Sequence, residues 1–151
     1  MSKYLDWRAR WALLAIFIYP VGVMAAEGLN LEEGYWETRV TIVIEGGLPL
    51  PAIKSSKCIT HQDPLPNSVE SSRMDCRVFD KNIVGNDVSW RLECRDEKGK
   101  MEGRGKITYA GDKFTGKMEV LVTQIEDDRH AKLEYVMKGE RVRACEATDP
   151  K

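Results

Sequence analysis

From Tyr35 onward, apolar residues recur at every second position along much of this 151-residue chain. In the first such run Trp36, Val40 and Ile42 share one side, and charged residues occupy the other. Because successive side chains of a strand point to opposite faces, this period predicts a half-buried β-strand. Comparable runs occupy positions 76–80, 88–94, 105–110, 114–125 and 132–138. The exported part of the chain is therefore expected to be all-β.

The turns between these runs set a register that can be checked for consistency. A two-residue hairpin turn sets Tyr109 opposite Phe114, and a four-residue loop at 126–129 sets Val120 opposite Tyr135. A slip of one residue would turn a whole strand's apolar set to solvent. With these turns, one face carries Trp36, Trp90, Ile107, Tyr109, Phe114, Val120, Val122, Leu133 and Tyr135. We predict an antiparallel meander of about six to seven strands, in either a curved sheet or a small barrel.

The segment 53–73 breaks the alternation. It contains Pro64 and Pro66 and is rich in Ser, Asn and Asp. These residue types favour turns and interrupt regular strands. The sequence predicts a loop here, with at most one helical turn.

The N-terminus has the order of a secretory signal peptide. Basic residues, among them Lys3 and Arg8, precede an apolar run that ends on small residues at Ala25. This run contains Pro20 and is shorter than the roughly 20 apolar residues of a membrane-spanning helix, which makes an uncleaved anchor the weaker hypothesis. We predict a signal peptide at 1–25, with its helix outside the fold.

The remaining chain, 26–151, has the length of one ordinary domain. We expect a single exported β domain in the periplasm of a Gram-negative bacterium, with no stable membrane span after signal cleavage. The formal net charge of the whole chain is −1, and charges of both signs alternate along it. A nucleic-acid partner is not expected, since binding to phosphates needs clustered Lys and Arg.

The four cysteines all lie in the exported part, and an even number there indicates a disulfide framework. A hairpin centred near Gly85 sets Cys76 almost opposite Cys94, as a cross-strand bond requires. Cys58 is then left to join Cys145. We expect two structural disulfides and no redox site, because the chain has no Cys-x-x-Cys pair.

The sequence offers no recognisable catalytic motif. It has no nucleophile elbow, phosphate-binding glycine loop, zincin helix or calcium loop. His61 with nearby Asp63 suggests a base and its orienting carboxylate, but a loop is where lone polar residues collect in any protein. We assign no catalytic residue, no metal ligand and no cofactor, and an enzyme is the weaker hypothesis.

A series of residues along nearly the whole exported part has a recognisable order. It comprises Gly34, Tyr35, Trp36, Glu37, Pro49, Pro51, Lys57, Cys58, Ile59, Thr60, Cys76, Trp90, Cys94, Gly103, Gly105, Tyr109, Ala110, Gly111, Asp112, Phe114, Gly116, Gly139, Glu140, Arg141 and Cys145. In this order the chain resembles the bacterial exported family catalogued as domain of unknown function 3617. The ending 142–145 departs from it, because a glycine is expected shortly before the last cysteine. The resemblance implies an envelope protein with four hallmark cysteines, and it implies no activity.

The leading functional hypothesis is a non-catalytic binding module of the cell envelope. It would hold a small apolar ligand in a barrel mouth, or an envelope protein on one sheet face. The candidate ligand-lining residues, which are equally candidates for the core, are Trp36, Trp90, Tyr109, Phe114 and Tyr135. A wide apolar cavity would favour ligand carriage, and a packed interior would favour partner binding. Convergent titratable groups in a cleft would favour an enzyme.

Overall fold

A computed structural model of the chain describes residues 28–66, 74–126 and 129–150. The predicted signal peptide at 1–25 lies outside these residues. Within them the chain forms seven β-strands: β1 (Gly34–Ile44), β2 (Ile53–Ile59), β3 (Asp75–Val84), β4 (Asp87–Arg95), β5 (Gly99–Ala110), β6 (Lys113–Gln124) and β7 (His130–Arg143). The same ranges contain no helix with the length and apolarity that a bilayer crossing requires.

All seven strands pair antiparallel in one sheet, in the order β2-β1-β7-β6-β5-β4-β3. Strands β3 to β7 follow one another as a meander, and the first strand pairs with the last. Within the described ranges no ladder joins β2 to β3, so these two strands are the edges of an open, curled half-barrel. The predicted antiparallel all-β fold is confirmed, as a curved sheet and not as a closed barrel.

Strand β2 lies inside the segment that the sequence predicted to be a loop. The prediction is wrong there because two of the inward positions are polar. Ile53, Ser55, Lys57 and Ile59 alternate on the apolar face of the sheet. Lys57 is buried on that face, and its ammonium group lies 2.7 Å from the Asp63 carboxylate. A long side chain whose charge is paired can occupy an inward position without breaking the strand.

The register of the meander is partly as predicted. Tyr109 faces Phe114, as expected. The predicted pairing of Val120 with Tyr135 is wrong, because Val120 faces Leu133 and Tyr135 faces Met118. This displacement is two residues, and a slip of two leaves every side chain on its original face. The nine residues predicted to share one apolar face therefore do share it.

Two glycines allow large rings to lie against the neighbouring strand of this face. Gly105 faces Trp90 across β4 and β5, and Gly139 faces Phe114 across β6 and β7. A Cβ atom at either glycine would overlap the facing ring. Glycine in a strand interior commonly marks such a close approach. These two positions thus determine where the aromatic side chains pack.

Two irregular segments, 28–33 and 60–66, cover one end of the apolar face. Leu31 is buried there against the sheet. The Tyr109 hydroxyl donates a hydrogen bond to the Pro64 carbonyl at 2.7 Å. Irregular backbone packs into a protein only where its polar groups find partners, and this bond supplies one.

Two disulfides, Cys58–Cys145 and Cys76–Cys94, account for all the cysteines, as predicted from an even cysteine count. The Cys76–Cys94 bond joins β3 to β4. The Cys58–Cys145 bond joins β2 to the residues that follow β7. Disulfides of this kind are typical of proteins that fold in oxidising compartments.

Candidate functional site

Three of the five candidate ligand-lining residues pack against one another. The ring centroids of Trp36, Tyr109 and Phe114 lie between 5.4 and 5.6 Å apart, and all three side chains are buried. Burial raises the pKa of the Tyr109 phenol. We call these three residues, with the covering segments 28–33 and 60–66, the packed end. Its rings fill the space between them, and Phe114 also borders a cavity of about 330 Å³.

The other two candidates also belong to the apolar face. Trp90 is buried over Gly105. Tyr135 is half-buried between Ile42 and Met118, and burial raises the pKa of its phenol. Their surroundings favour a role in the core over a role in ligand binding.

A cavity of about 830 Å³ lies on the opposite, polar face of the sheet. It follows two cross-strand rows of outward-facing residues, one from Arg91 to Glu134 and one from Glu93 to Glu45. Several of its charges are paired with neighbouring residues: Glu134 lies 3.2 Å from the Lys117 ammonium, and Glu45 lies 3.8 Å from the Lys132 ammonium. Exposed pairs of this kind contribute little and are typical of a solvated face.

His61 and Asp63 do not form the base and orienting carboxylate that the sequence suggested. The Nδ1 atom of His61 lies 3.0 Å from a Glu33 carboxylate oxygen, and the His61 backbone N–H donates to the same oxygen at 2.8 Å. That backbone bond holds the pKa of Glu33 below its usual range. Asp63 instead pairs with Lys57. His61 thus links the two covering segments of the packed end to each other, and Asp63 links the second of these segments to β2.

Other surface carboxyl groups also have lowered pKa values. A hydrogen bond from Lys106 lowers the pKa of Asp87, and one from Arg77 lowers that of Glu93. A lowered pKa favours the ionised form, whereas a carboxyl that acts as a general acid near neutral pH needs a raised one. The described residues include no group of three or more His, Cys, Asp and Glu side chains placed to hold a metal. These groups do not indicate an enzyme.

The chain between β1 and β2 exposes a run of apolar side chains. Leu48 is 85% exposed, Ile53 56% and Leu50 44%, and Ile44 at the end of β1 is also exposed. We call residues 44–53 the exposed edge, because they run along the β2 side of the sheet. Contiguous apolar surface of this kind marks sites of interaction in soluble proteins.

The exposed edge is held in place by its backbone. The Leu50 amide donates to the Ile42 carbonyl at 2.8 Å, and Pro49 forms a bridge with Val43. Pro49 and Pro51 restrict the backbone further, since the proline ring fixes φ. The sequence contains a signal that would have indicated this site: an uncharged run with two prolines between two strands.

Three cations lie on the polar face of β1, β2 and β7, opposite the face that carries Ile53. Lys54 faces Arg39 across β1 and β2, and Arg39 faces Lys138 across β1 and β7. None of the three forms an ion pair in the part of the chain that the structure describes. A cavity of about 330 Å³ adjoins them, with Glu37 and Glu140 in the next row. We call Lys54, Arg39 and Lys138 the cationic row.

A family model described as "Protein of unknown function (DUF3617)" matches residues 31–145, which is most of the chain. The chain belongs to the DUF3617 family. The resemblance inferred from the ordered cysteines and glycines is thus confirmed. No curated protein and no solved structure matches the chain.

The DUF3617 match covers all seven strands, the exposed edge and all of the packed end except residues 28–30. It begins at Leu31 in the cover of the packed end and closes at Cys145, whose sulfur is bonded to Cys58. Gly105 and Gly139, two of the glycines on which the resemblance rests, lie beneath Trp90 and Phe114. In this DUF3617 domain the hallmark residues therefore serve the packing of the sheet.

Proposed function

We propose that this DUF3617 domain is a non-catalytic binding module of the cell envelope, and that it binds its partner through the exposed edge. The order of residues in the segment 1–25 supports export to the periplasm. The two disulfides agree with such an oxidising compartment.

The observation that carries this proposal is the exposure of Leu48, Leu50 and Ile53 on a segment that the fold holds in place. Water-exposed leucine contributes nothing to the core, and a contiguous apolar patch favours aggregation unless something covers it. A surface of this kind, kept rigid by its backbone, is preorganised for a partner, because little conformational freedom is lost on binding.

The alternative of an apolar ligand carried inside the sheet has less support. Trp36, Tyr109 and Phe114 are buried against one another, and the two cavities described above lie on the polar face. A carrier needs an apolar cavity that its ligand fills. The aromatic residues fill that place themselves.

Site-specific photo-crosslinking in intact cells tests the proposal. A photoreactive amino acid replaces Leu48 in one variant and Val84 in a control variant. Val84 is 67% exposed at the end of β3, on the opposite edge of the sheet. We expect a discrete adduct from position 48 and none from position 84, with the partner identified by mass spectrometry. Equal adducts at both positions, or none at position 48, would overturn the proposal.

A further inference from the structure

We propose that the partner of the exposed edge is an extended segment of another protein. The segment pairs with β2 as a further strand of the sheet, and its side chains alternate between apolar and acidic. This inference rests on the proposed function, because it names the partner of the same surface. It is based on three features of this side of the sheet: the backbone groups of β2, the apolar side chains on one face and the cations on the other.

The outer side of β2 has backbone groups that a further strand can bind. Cys58 donates its N–H away from β1, to the Pro150 carbonyl at 2.9 Å. Because alternate residues of an antiparallel strand bond toward opposite edges, Ser56 and Lys54 direct their N–H and C=O groups outward as Cys58 does. These backbone groups have no hydrogen-bond partner among the described residues. Such a row of donors and acceptors is a template for another extended chain.

The opposite edge of the sheet is less suited to strand addition. A β-bulge interrupts the pairing of β3 between Phe79 and Asn82, and Asp80 within it has a φ of 51°. Bulges are one of the means by which edge strands are protected from pairing with other chains. The register of β2 with β1 is continuous. Of the two edges, β2 is therefore the one that favours an added strand.

The exposed apolar side chains on this side lie on the apolar face of the sheet. Ile53 faces Val40 on that face, and Pro49 faces Val43 on the polar face. Successive side chains point to opposite faces, so Leu50 belongs to the apolar face as well. Val40 on the inner strand β1 is buried, whereas Ile53 on the edge strand is exposed. An added strand with apolar side chains on this face would cover Ile53.

The cationic row lies on the opposite, polar face and ends at the same edge. Lys54 is its outermost member, followed inward by Arg39 and Lys138. Like charges opposite each other on neighbouring strands repel, and these three have no ion-pair partner among the described residues. In an adjacent row the Lys106 ammonium lies 2.7 Å from Asp87. An acidic side chain beside Lys54 on an added strand would supply the corresponding partner.

The two faces together identify the chemistry of the partner. Ile53 and Lys54 are consecutive residues, so the exposed apolar surface and the outermost cation lie on opposite faces of one strand. The side chains of an added strand alternate between the same two faces. One extended segment with apolar residues on one face and acidic residues on the other therefore complements both. A partner that contacts a single face complements only one of them.

Pairing of β2 with the β2 strand of a second copy has less support. Two copies joined in this way form one continuous sheet, and their polar faces lie on the same side. A second cationic row would then lie beside the first, and the repulsion among Lys54, Arg39 and Lys138 would increase. We therefore assign the added strand to another protein.

Binding of short synthetic peptides tests the inference. The protein is isolated after expression of the full chain, its N-terminus is fixed by intact mass, and all variants are compared at that N-terminus. The probe is a capped, fluorescently labelled peptide that alternates valine with glutamate, and anisotropy at trace peptide concentration measures its binding. One comparison peptide alternates valine with lysine, and another groups the same valines and glutamates in two blocks. We expect the valine–glutamate probe to bind, and both comparison peptides to bind about fivefold or more weakly.

Methylation of the peptide backbone tests the strand geometry. One edge of an added strand bonds to β2 and the other faces solvent, so alternate N–H groups of the probe differ in importance. We compare probes that are N-methylated at every valine or at every glutamate. One of them should lose about tenfold or more in affinity, and the other should bind as the probe does. Equal affinities would overturn the inference.

Reversal of charge tests the role of the cationic row. K54E/R39E should make the valine–lysine peptide the better ligand, because the charge beside the added strand changes sign. K81E/K98E makes the same change in net charge at two exposed cations that likewise form no ion pair among the described residues. This control should keep the preference for glutamate. If K54E/R39E also keeps it, or if the control loses it to the same extent, the inference is wrong.

A proline on each edge locates the backbone contact. Proline is tolerated in an edge strand where the N–H faces solvent, as it does at Ser56. Val78 is the matching position on β3: Asp96 donates to the Gly99 carbonyl, so Leu92 also bonds toward β5, and Val78 opposite it directs its N–H outward. S56P should weaken binding of the probe by about threefold or more, and V78P should not. Thermal melting shows that each variant is folded. An equal loss in both would contradict binding at β2.

The crosslinking and peptide results together distinguish the two proposals. A protein adduct at position 48 whose crosslinked segment alternates apolar and acidic residues, together with binding of the probe, supports both. An adduct with a lipid, with a second copy or with a segment that lacks this alternation overturns the added strand and leaves the binding module in place. An adduct without binding of the probe does the same. No adduct and no binding of the probe overturn both.

Discussion

The packed end and the exposed edge are both apolar, and both involve β1 and β2, yet the chain treats them differently. At the packed end Trp36 is fully buried, and both backbone and side-chain bonds attach the segments that cover it. Arg141 donates from Nε to the Glu33 carbonyl at 2.8 Å, for example. At the exposed edge Leu48 extends into solvent, and the bonds that order the segment come from the backbone.

The difference in burial distinguishes apolar residues that stabilise the folded protein from apolar residues that contribute little to its stability. Ordering an irregular segment costs about 1 to 2 kcal/mol per residue in backbone entropy. The segments 28–33 and 60–66 offset this cost by burying large rings and by forming hydrogen bonds with the sheet and with each other. The side chains of Leu48 and Leu50 bury little, so folding does not require them to be apolar. Their apolar character therefore needs a partner as its explanation.

The largest expected effect concerns the disulfide at the packed end. Cys58–Cys145 closes a separation of 87 residues and Cys76–Cys94 one of 18. Loop-closure entropy predicts that C58S/C145S loses about 4.6 kcal/mol of unfolding free energy and C76S/C94S about 3.2 kcal/mol. Urea titration of both double variants measures the losses. An equal loss in the two variants would show that the Cys58–Cys145 bond has no special importance for the packed end.

The next effect concerns the ring at the centre of the packed end. Trp36→Ala removes a fully buried side chain and should lower the unfolding free energy by about 3 to 5 kcal/mol. Urea unfolding followed by far-UV circular dichroism measures the loss. A variant that unfolds like the parent would show that Trp36 lines a site, and it would restore the hypothesis of a carried ligand.

The sequence predicted which face of the sheet each side chain is on better than it predicted which residue on the neighbouring strand that side chain faces. Alternation assigns a side chain to a face, and a register error of two residues, as at Val120 and Tyr135, does not change that assignment. Strand β2 was missed because Ser55 and Lys57 interrupt its apolar period. Lys57 is buried only because Asp63, six residues away, pairs with its charge.

The cover over the apolar face could not be predicted, because it depends on contacts between distant parts of the chain. The β-bridge between Leu31 and Gly111 connects residues that are separated by most of the domain's sequence. Period and turn chemistry are local signals and contain no information about such contacts. For the same reason the apolar pattern does not distinguish a strand end that is covered from one that is not. Trp36, Tyr109 and Phe114, three of the residues named as candidates for ligand lining or for the core, pack against one another, and Leu48 was not singled out.

A smaller effect is expected from the C-terminal residues beside the packed end. Arg143 donates two hydrogen bonds to Asp149, at 2.6 and 2.7 Å, and these bonds hold the pKa of Asp149 below its usual range. A carboxyl whose pKa is lowered by folding stabilises the protein above its unfolded pKa, and the stabilisation is lost as pH falls through the folded pKa. Asp149→Asn should therefore lower the melting temperature near neutral pH and have no effect in strong acid.

Melting curves over a series of pH values measure this difference. Glu97→Gln, an exposed change in the turn between β4 and β5, serves as the control. A destabilisation by Asp149→Asn that is the same at every pH would contradict the assignment, because it would show that ionisation of the carboxylate is not what stabilises the tail.

The smallest expected effect on stability is at the exposed edge itself. Leu48→Ser removes an apolar side chain that is 85% exposed, and changes at such positions alter the unfolding free energy by no more than about 0.5 kcal/mol. Ile59→Ser, at a buried position of the neighbouring strand, should be strongly destabilising by comparison, because it removes core packing and buries a hydroxyl. Urea titration of both variants gives the contrast. If Leu48→Ser were as destabilising as Ile59→Ser, Leu48 would belong to the core, and its apolar character would need no partner to explain it. If Leu48→Ser unfolds like the parent, loss of binding in that variant can be attributed to the surface and not to the fold.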